Sequence, residues 1–267
     1  MDGCIAFSGQ IFFDFAGYST CAIGIGLSLG FSLPDNFLYP YAAIGFSDFW
    51  RRWHITLSSW LRDYLYIPLG GNRAKKVRVY TNLMITMLLG GLWHGASWTF
   101  VVWGGLHGLY LCIEKFIQDR SNRRSLIKIP VSIDKKEKVV VQSILTAPRF
   151  LRKIWPANFL LALFTFFLVN ITWVFFRATD FNNAWSILGS MFGAVNKGVP
   201  VLSTLSLLKV GVVITLMVFT HWKMRDTKVL QVAQRIPWWA VGIVWAFMLI
   251  LLILSQESSN SFIYFQF

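Results

Sequence analysis

Polar and apolar positions in this chain do not alternate at one period; they segregate into long uncharged runs divided by charged stretches. The first run covers residues 15–34 and reaches back past Asp14 towards Phe7. The second, residues 79–113, carries no charge at all. Residues 154–176 and 236–256 are each long enough for one membrane pass, and so is 202–222, with Lys209 inside it. A single helix over 79–113 would extend about 52 Å at ~1.5 Å per residue, against a hydrocarbon core of about 30 Å. It must therefore turn, and Gly90-Gly91 is the predicted break. The pattern predicts about six membrane elements, hence an all-α, polytopic transmembrane helical bundle.

Residues 46–71, FSDFWRRWHITLSSWLRDYLYIPLGG, interrupt this pattern. Ser47 or Asp48 is predicted to cap a helix, and Pro68 with Gly70-Gly71 to end it. On that helix Trp50, His54, Leu57, Leu61 and Tyr64 share one face. Phe49, Trp53 and Trp60 form an aromatic stripe beside it, and Arg51, Ser58 and Arg62 another. Such a segment is too charged for the bilayer centre and too aromatic for water, which predicts a re-entrant or interfacial helix. Interfacial anchoring accounts for the Trp and Arg residues; it accounts less well for His54.

Composition agrees with a membrane chain: 55% of the 267 residues are hydrophobic, 14% are charged, and mean hydropathy is +0.55. These values exclude disorder, a collagen-like fibre, a disulfide scaffold and an ordinary soluble enzyme. The net charge of +13 is read as topology, not as a nucleic-acid surface, because it concentrates in residues 115–153 and 223–235. Placing both basic loops in the cytoplasm makes the spans alternate without contradiction. The C-terminus then lies outside, and residues 35–78 lie inside or dip in from that side. Cys4, Cys21 and Cys112 form no CxxC pair, so neither a disulfide nor a metal site is expected. The N-terminus lacks the basic region and cleavage site of a signal peptide. With no repeat and no composition shift, residues 1–267 read as a single membrane domain.

Ionisable groups inside uncharged runs are costly and face a partner or a cavity. His94, in GGLWHGASW, is one, and its small neighbours leave room for close approach. Either a hydrogen bond to a neighbouring helix or a catalytic base would explain it. His107 shares the run without an assigned role, and Asp14 is expected to make a helix-packing hydrogen bond. A neutral imidazole in a dry pocket can take a proton from an alcohol, and desolvation keeps it neutral. No GxSxG, P-loop, GxGxxG or HExxH is present to support a serine hydrolase, an ATPase or a zinc protease.

The strings FFDFAGYSTCAIGIGLSLGF, LPDNFLYPY, FSDFWRRWHITLSSWLRDYLYIPLGGNR, TMLLGGLWHGASWTFVVWGGLHGLYL, ITWVFFRA and FIYFQF resemble the membrane-bound O-acyltransferase family, in particular its alginate O-acetylation branch. The resemblance implies an acyltransferase whose helices ring a tunnel through the bacterial inner membrane. Its near-invariant histidine falls on His94, and its second functional position on His54. His94 would be the general base and His54 would orient the acceptor or polarise the acyl carbonyl. Trp50, Trp53 and Trp93 would wall the pocket, and Arg51, Arg52 and Arg62 would meet the phosphates or acidic surface of a carrier. Ser58 and Asp63 complete the candidate substrate-binding set. The implied cosubstrate is a cytoplasmic acyl thioester, acetyl-CoA or a carrier-bound acyl group, with no bound cofactor. The implied partners are membrane lipid, periplasmic acyltransferase proteins and a polysaccharide acceptor. Relatives run longer, so this chain is expected to be their C-terminal half without the usual N-terminal spans. A transport pore without chemistry and an inactive scaffold are the alternative readings.

Overall fold

A computed structural model describes residues 2–126, 155–193, 204–227 and 229–254. Among these residues the architecture is all-helical, with no strand. The parts of the topology reading that rest on 127–154 and 255–267 lie outside the described residues. The elements are α1 (Asp2–Ser28), α2 (Phe46–Trp50), α3 (Ile55–Leu61), α4 (Lys76–Trp93), α5 (Trp98–Leu126), α6 (Trp155–Arg177), α7 (Phe181–Met191), α8 (Thr204–Met224), α9 (Val229–Ala233) and α10 (Trp238–Leu254). Four stretches are long and apolar enough to cross a membrane: Gly3–Ser28, Trp98–Ser121, Ala157–Arg177 and Leu207–Met224. With α4 and the shorter apolar α10 they make the six membrane elements anticipated from the pattern. Their outward side chains, among them Leu208, Phe219, Trp245 and Ile250, are large, apolar and exposed, as lipid contact requires.

The uncharged run does turn, but not at Gly90-Gly91. Both glycines lie inside α4, and the chain reverses over residues 94–97. The glycines serve packing instead. A methyl group at Gly91 would collide with the Phe100 carbonyl, and one at Gly104 with the Met87 carbonyl, so α4 and α5 touch backbone to backbone. In lipid, where water does not push helices together, such close approach holds a helical hairpin.

The segment 46–71 is not one helix either. It forms α2, a turn, α3, a π-helical turn at Arg62–Tyr66 and a bend through Gly70 and Gly71 at positive φ. Neither Ser47 nor Asp48 caps α2. Gly45 occupies that position at φ 85°, and Glu114 of α5 accepts from the Phe46 and Ser47 N–H groups at 2.7 and 2.9 Å. A carboxylate from a distant helix thus does the work of a local cap. Gly45 N–H donates to Thr165 Oγ1 at 3.0 Å, fixing the same turn to α6.

This re-entrant segment plugs the bundle with aromatic rings. Phe49 and Trp53 stack 5.8 Å apart and are buried with Trp103, Trp173, Phe7 and Ile11. Polar bonds cross the same core. Ser8 Oγ donates to Asn170 Oδ1 at 2.6 Å, Tyr41 OH donates to the Ser8 carbonyl at 2.6 Å, and Tyr41 N–H donates to His221 Nδ1 at 3.3 Å. Asp14, expected to bond a neighbouring helix, is half-buried on α1 and has no hydrogen bond to any described residue.

Candidate active site

His54 is where the expected helix breaks. Its φ of 43° is left-handed, a conformation that costs a non-glycine residue energy and needs support from outside. Asn36 supplies it. The Asn36 carbonyl accepts from Ile55 N–H at 3.0 Å, and Asn36 Oδ1 accepts from Thr56 N–H at 3.3 Å and the Thr56 hydroxyl at 2.9 Å. His54 Nδ1 lies 3.2 Å from the same oxygen. An amide oxygen only accepts, so Nδ1 carries the imidazole proton and Nε2 presents a bare lone pair. The ring packs edge-on against Phe15 at 4.7 Å.

His54 lines an open pocket of about 310 Å³ with Thr56, Leu57, Trp60 and Trp93. The Trp93 indole stands 6.1 Å from the His54 ring and 5.1 Å from that of His94, centroid to centroid. His94 follows α4 at the turn, half-buried among Trp93, Phe100, Trp103 and Phe176. It stands behind Trp93 and is not itself among the pocket walls. Burial pushes both imidazoles down to about 4, and the neighbouring His54 lowers His94 further. Both rings are therefore neutral at physiological pH and able to accept a proton.

The other candidates are distributed differently. Trp93 lines the pocket, whereas Trp53 is buried in the core and Trp50 packs against Trp103 and His107. Ser58 Oγ donates to the Trp53 carbonyl at 3.1 Å, closing the turn before α3. Arg51 is exposed, and Arg62 pairs with adjacent Asp63 at 2.7 Å on the surface. Arg52 is engaged on all sides: its Nε donates to Asp48 at 2.9 Å, and its Nη1 donates to the Arg225 carbonyl at 2.7 Å. It ties the re-entrant segment to the end of α8.

His107 resembles His94 in sequence but differs in setting. It is fully buried, and its Nε2 lies 3.0 Å from Thr172 Oγ1. That hydroxyl donates to the Val169 carbonyl at 2.7 Å, so it accepts from His107 Nε2–H. This is a helix-to-helix hydrogen bond. Sequence reasoning did not single out Asn36, Glu114, Arg225 or His221 for these contacts. Asn36 acts on a residue 18 positions away, and Glu114 on one 68 positions away, beyond any local spacing signal.

Residues 4–132 match the model of the membrane-bound O-acyltransferase family. Over 191 residues the chain is 44% identical to the probable alginate O-acetylase of Azotobacter vinelandii, covering 71% of this chain and 32% of that protein. It is 43% identical over 189 residues to the peptidoglycan O-acetyltransferase of Helicobacter pylori, covering 71% of this chain and 31% of the relative. The teichoic acid D-alanyltransferase of Streptococcus thermophilus is 38% identical over 112 residues, 39% of this chain and 27% of its own length. The chain spans about a third of the length of the first two of these curated relatives.

Proposed function

Because this chain belongs, through residues 4–132, to the membrane-bound O-acyltransferase family, we propose that it carries the histidine centre of a bacterial inner-membrane O-acyltransferase. The transferred group is an acyl group, acetyl by analogy with the alginate and peptidoglycan relatives. The donor is an acyl thioester, and the acceptor is a hydroxyl on a cell-envelope polymer or on a partner protein serving one.

The observation that carries this reading is the ring sequence His54, Trp93, His94, with the first two on one open pocket and the third directly behind. His94 takes the proton from the acceptor hydroxyl as its oxygen attacks the thioester carbonyl carbon. The new C–O bond forms, the C–S bond breaks, and the departing thiolate recovers the proton from the imidazolium. The bare Nε2 of His54 accepts a hydrogen bond from the incoming hydroxyl and orients it. Trp60 and Trp93 offer flat apolar faces against which the non-polar side of a sugar ring can lie.

The test is His94→Ala in the full-length enzyme, with acetyl ester on the envelope polymer measured by mass spectrometry. Loss of the ester with normal membrane levels of protein is the expected result. Retained O-acetylation overturns the assignment.

A further inference from the structure

At the other end of α6, away from His54, lies a cleft of about 450 Å³ between α1, α6 and α7. Its walls are apolar at Phe7, Trp173, Val174 and Ile187, with Gln10 and Ser190 among the polar ones. Arg177 is the one cation lining it, and its guanidinium carbon lies 5.0 Å from the centre of the Phe7 ring. Arg177 is exposed and enters no ion pair among the described residues. Asp180, three residues on, does not neutralise it. That carboxylate accepts from Asn183 N–H at 2.8 Å, capping α7, and from the Thr179 hydroxyl at 3.2 Å.

The position in the fold selects the ligand. Arg177 ends the membrane-length stretch Ala157–Arg177, at the level where a chain leaves hydrocarbon for headgroups. The adjoining α7 turns Ala184 and Leu188 inward and leaves Trp185 exposed, as do its flanking Phe181 and Phe192. This is the character of a helix lying along a membrane interface. A lone guanidinium beside an apolar cleft at that depth complements an amphiphile with one anionic phosphate. Arg binds phosphate through paired N–H groups, and acyl chains fit apolar walls. We infer that the cleft between α1, α6 and α7 binds one acidic phospholipid, its phosphate on Arg177 and an acyl chain along Phe7, Trp173 and Ile187. The site is separate from the histidine centre and does not depend on the acyl-transfer reading.

Native mass spectrometry tests this on the whole protein exchanged into equimolar phosphatidylglycerol and phosphatidylcholine of matched chains. The wild type should retain phosphatidylglycerol over phosphatidylcholine by about fivefold, the scale of one basic residue acting on an anionic headgroup. Arg177→Gln should erase the preference and Arg177→Lys should keep most of it. Ile187→Trp, which fills the cleft, should displace both lipids, and it keeps the test decisive if Arg177→Gln fails to fold. Inorganic phosphate alone should not raise the melting temperature. No lipid preference in the wild type, a preference unchanged in Arg177→Gln, full lipid retention in Ile187→Trp, or equal stabilisation by inorganic phosphate would each overturn the proposal.

Discussion

Asn36 and His54 form the contact that shapes the site: one amide oxygen takes the imidazole Nδ1–H at 3.2 Å and both donors of Thr56. It fixes the ring's tautomer and supports the left-handed backbone beneath it. Asn36→Ala should therefore cost catalysis more than stability. Acyl-transfer kcat is expected to fall about 10- to 100-fold, the scale of misplacing a reacting group by about 1 Å. Loss of the bond costs stability only about 1 kcal/mol, a shift of a few degrees in melting temperature. Steady-state kinetics beside thermal unfolding checks this, and a large loss of stability with unchanged kcat would contradict it.

The pH profile of acyl transfer should fall late on the acid side. A general base works only when neutral, and burial makes His94 and His54 harder to protonate, bringing both to about 4. Activity should accordingly persist as pH drops through 6.5, the ordinary histidine value, and be lost only as it approaches about 4. Measuring kcat/KM from pH 4 to pH 8 locates the limb. An acid limb centred near 6.5 would mean that neither buried ring sets it.

The glycines of the α4–α5 hairpin should tolerate a methyl group very unequally. Gly91→Ala and Gly104→Ala each drive a Cβ into a carbonyl of the facing helix, which only a backbone shift can relieve. Each is expected to cost about 1–3 kcal/mol or more, seen as lower folded yield from the membrane. Gly105→Ala meets Leu88 Cδ2 at 3.5 Å, an ordinary contact, and should behave as the wild type. Fluorescence-detected size-exclusion chromatography of the three variants separates these outcomes.

The same hairpin marks how far the sequence could be read. A charge-free run longer than the bilayer forces a turn, and the turn is there. But a glycine pair permits either a reversal or a backbone contact, and only the partner helix decides between them. His94 and His107 likewise look alike as polar residues in one apolar run. They differ because Thr172, 65 residues away, engages the second. Within residues 46–71 the i+3/i+4 spacing of Trp50, His54 and Leu57 suggests a continuous helix, since spacing cannot register the positive φ at His54 that Asn36 sustains. Family motifs located both histidines. The residues that orient them act across the fold and leave no periodic trace.

Asp48 should anchor the re-entrant segment as a buried counterion. Its carboxylate accepts from Ile44 N–H at 3.0 Å, from Arg52 Nε at 2.9 Å and from Arg225 Nη2 at 2.7 Å. Burial alone would raise its pKa, but Arg52, the Ile44 N–H and Arg225 outweigh burial and hold it below the ordinary value. Asp48→Asn leaves two guanidinium groups facing an amide in a partly dry setting, with an expected loss of about 2–4 kcal/mol, less than for a fully enclosed pair because both side chains retain some solvent contact. A carboxylate with a depressed folded-state pKa stabilises above its unfolded value, about 3.9, and that contribution disappears as pH falls through the lower folded value. Asparagine does not titrate. The gap in melting temperature between wild type and Asp48→Asn should thus be full near neutral pH and close below about pH 4. Thermal unfolding in detergent from pH 3 to pH 7 measures it, and a pH-independent gap would show that the carboxylate's charge is not what holds the segment.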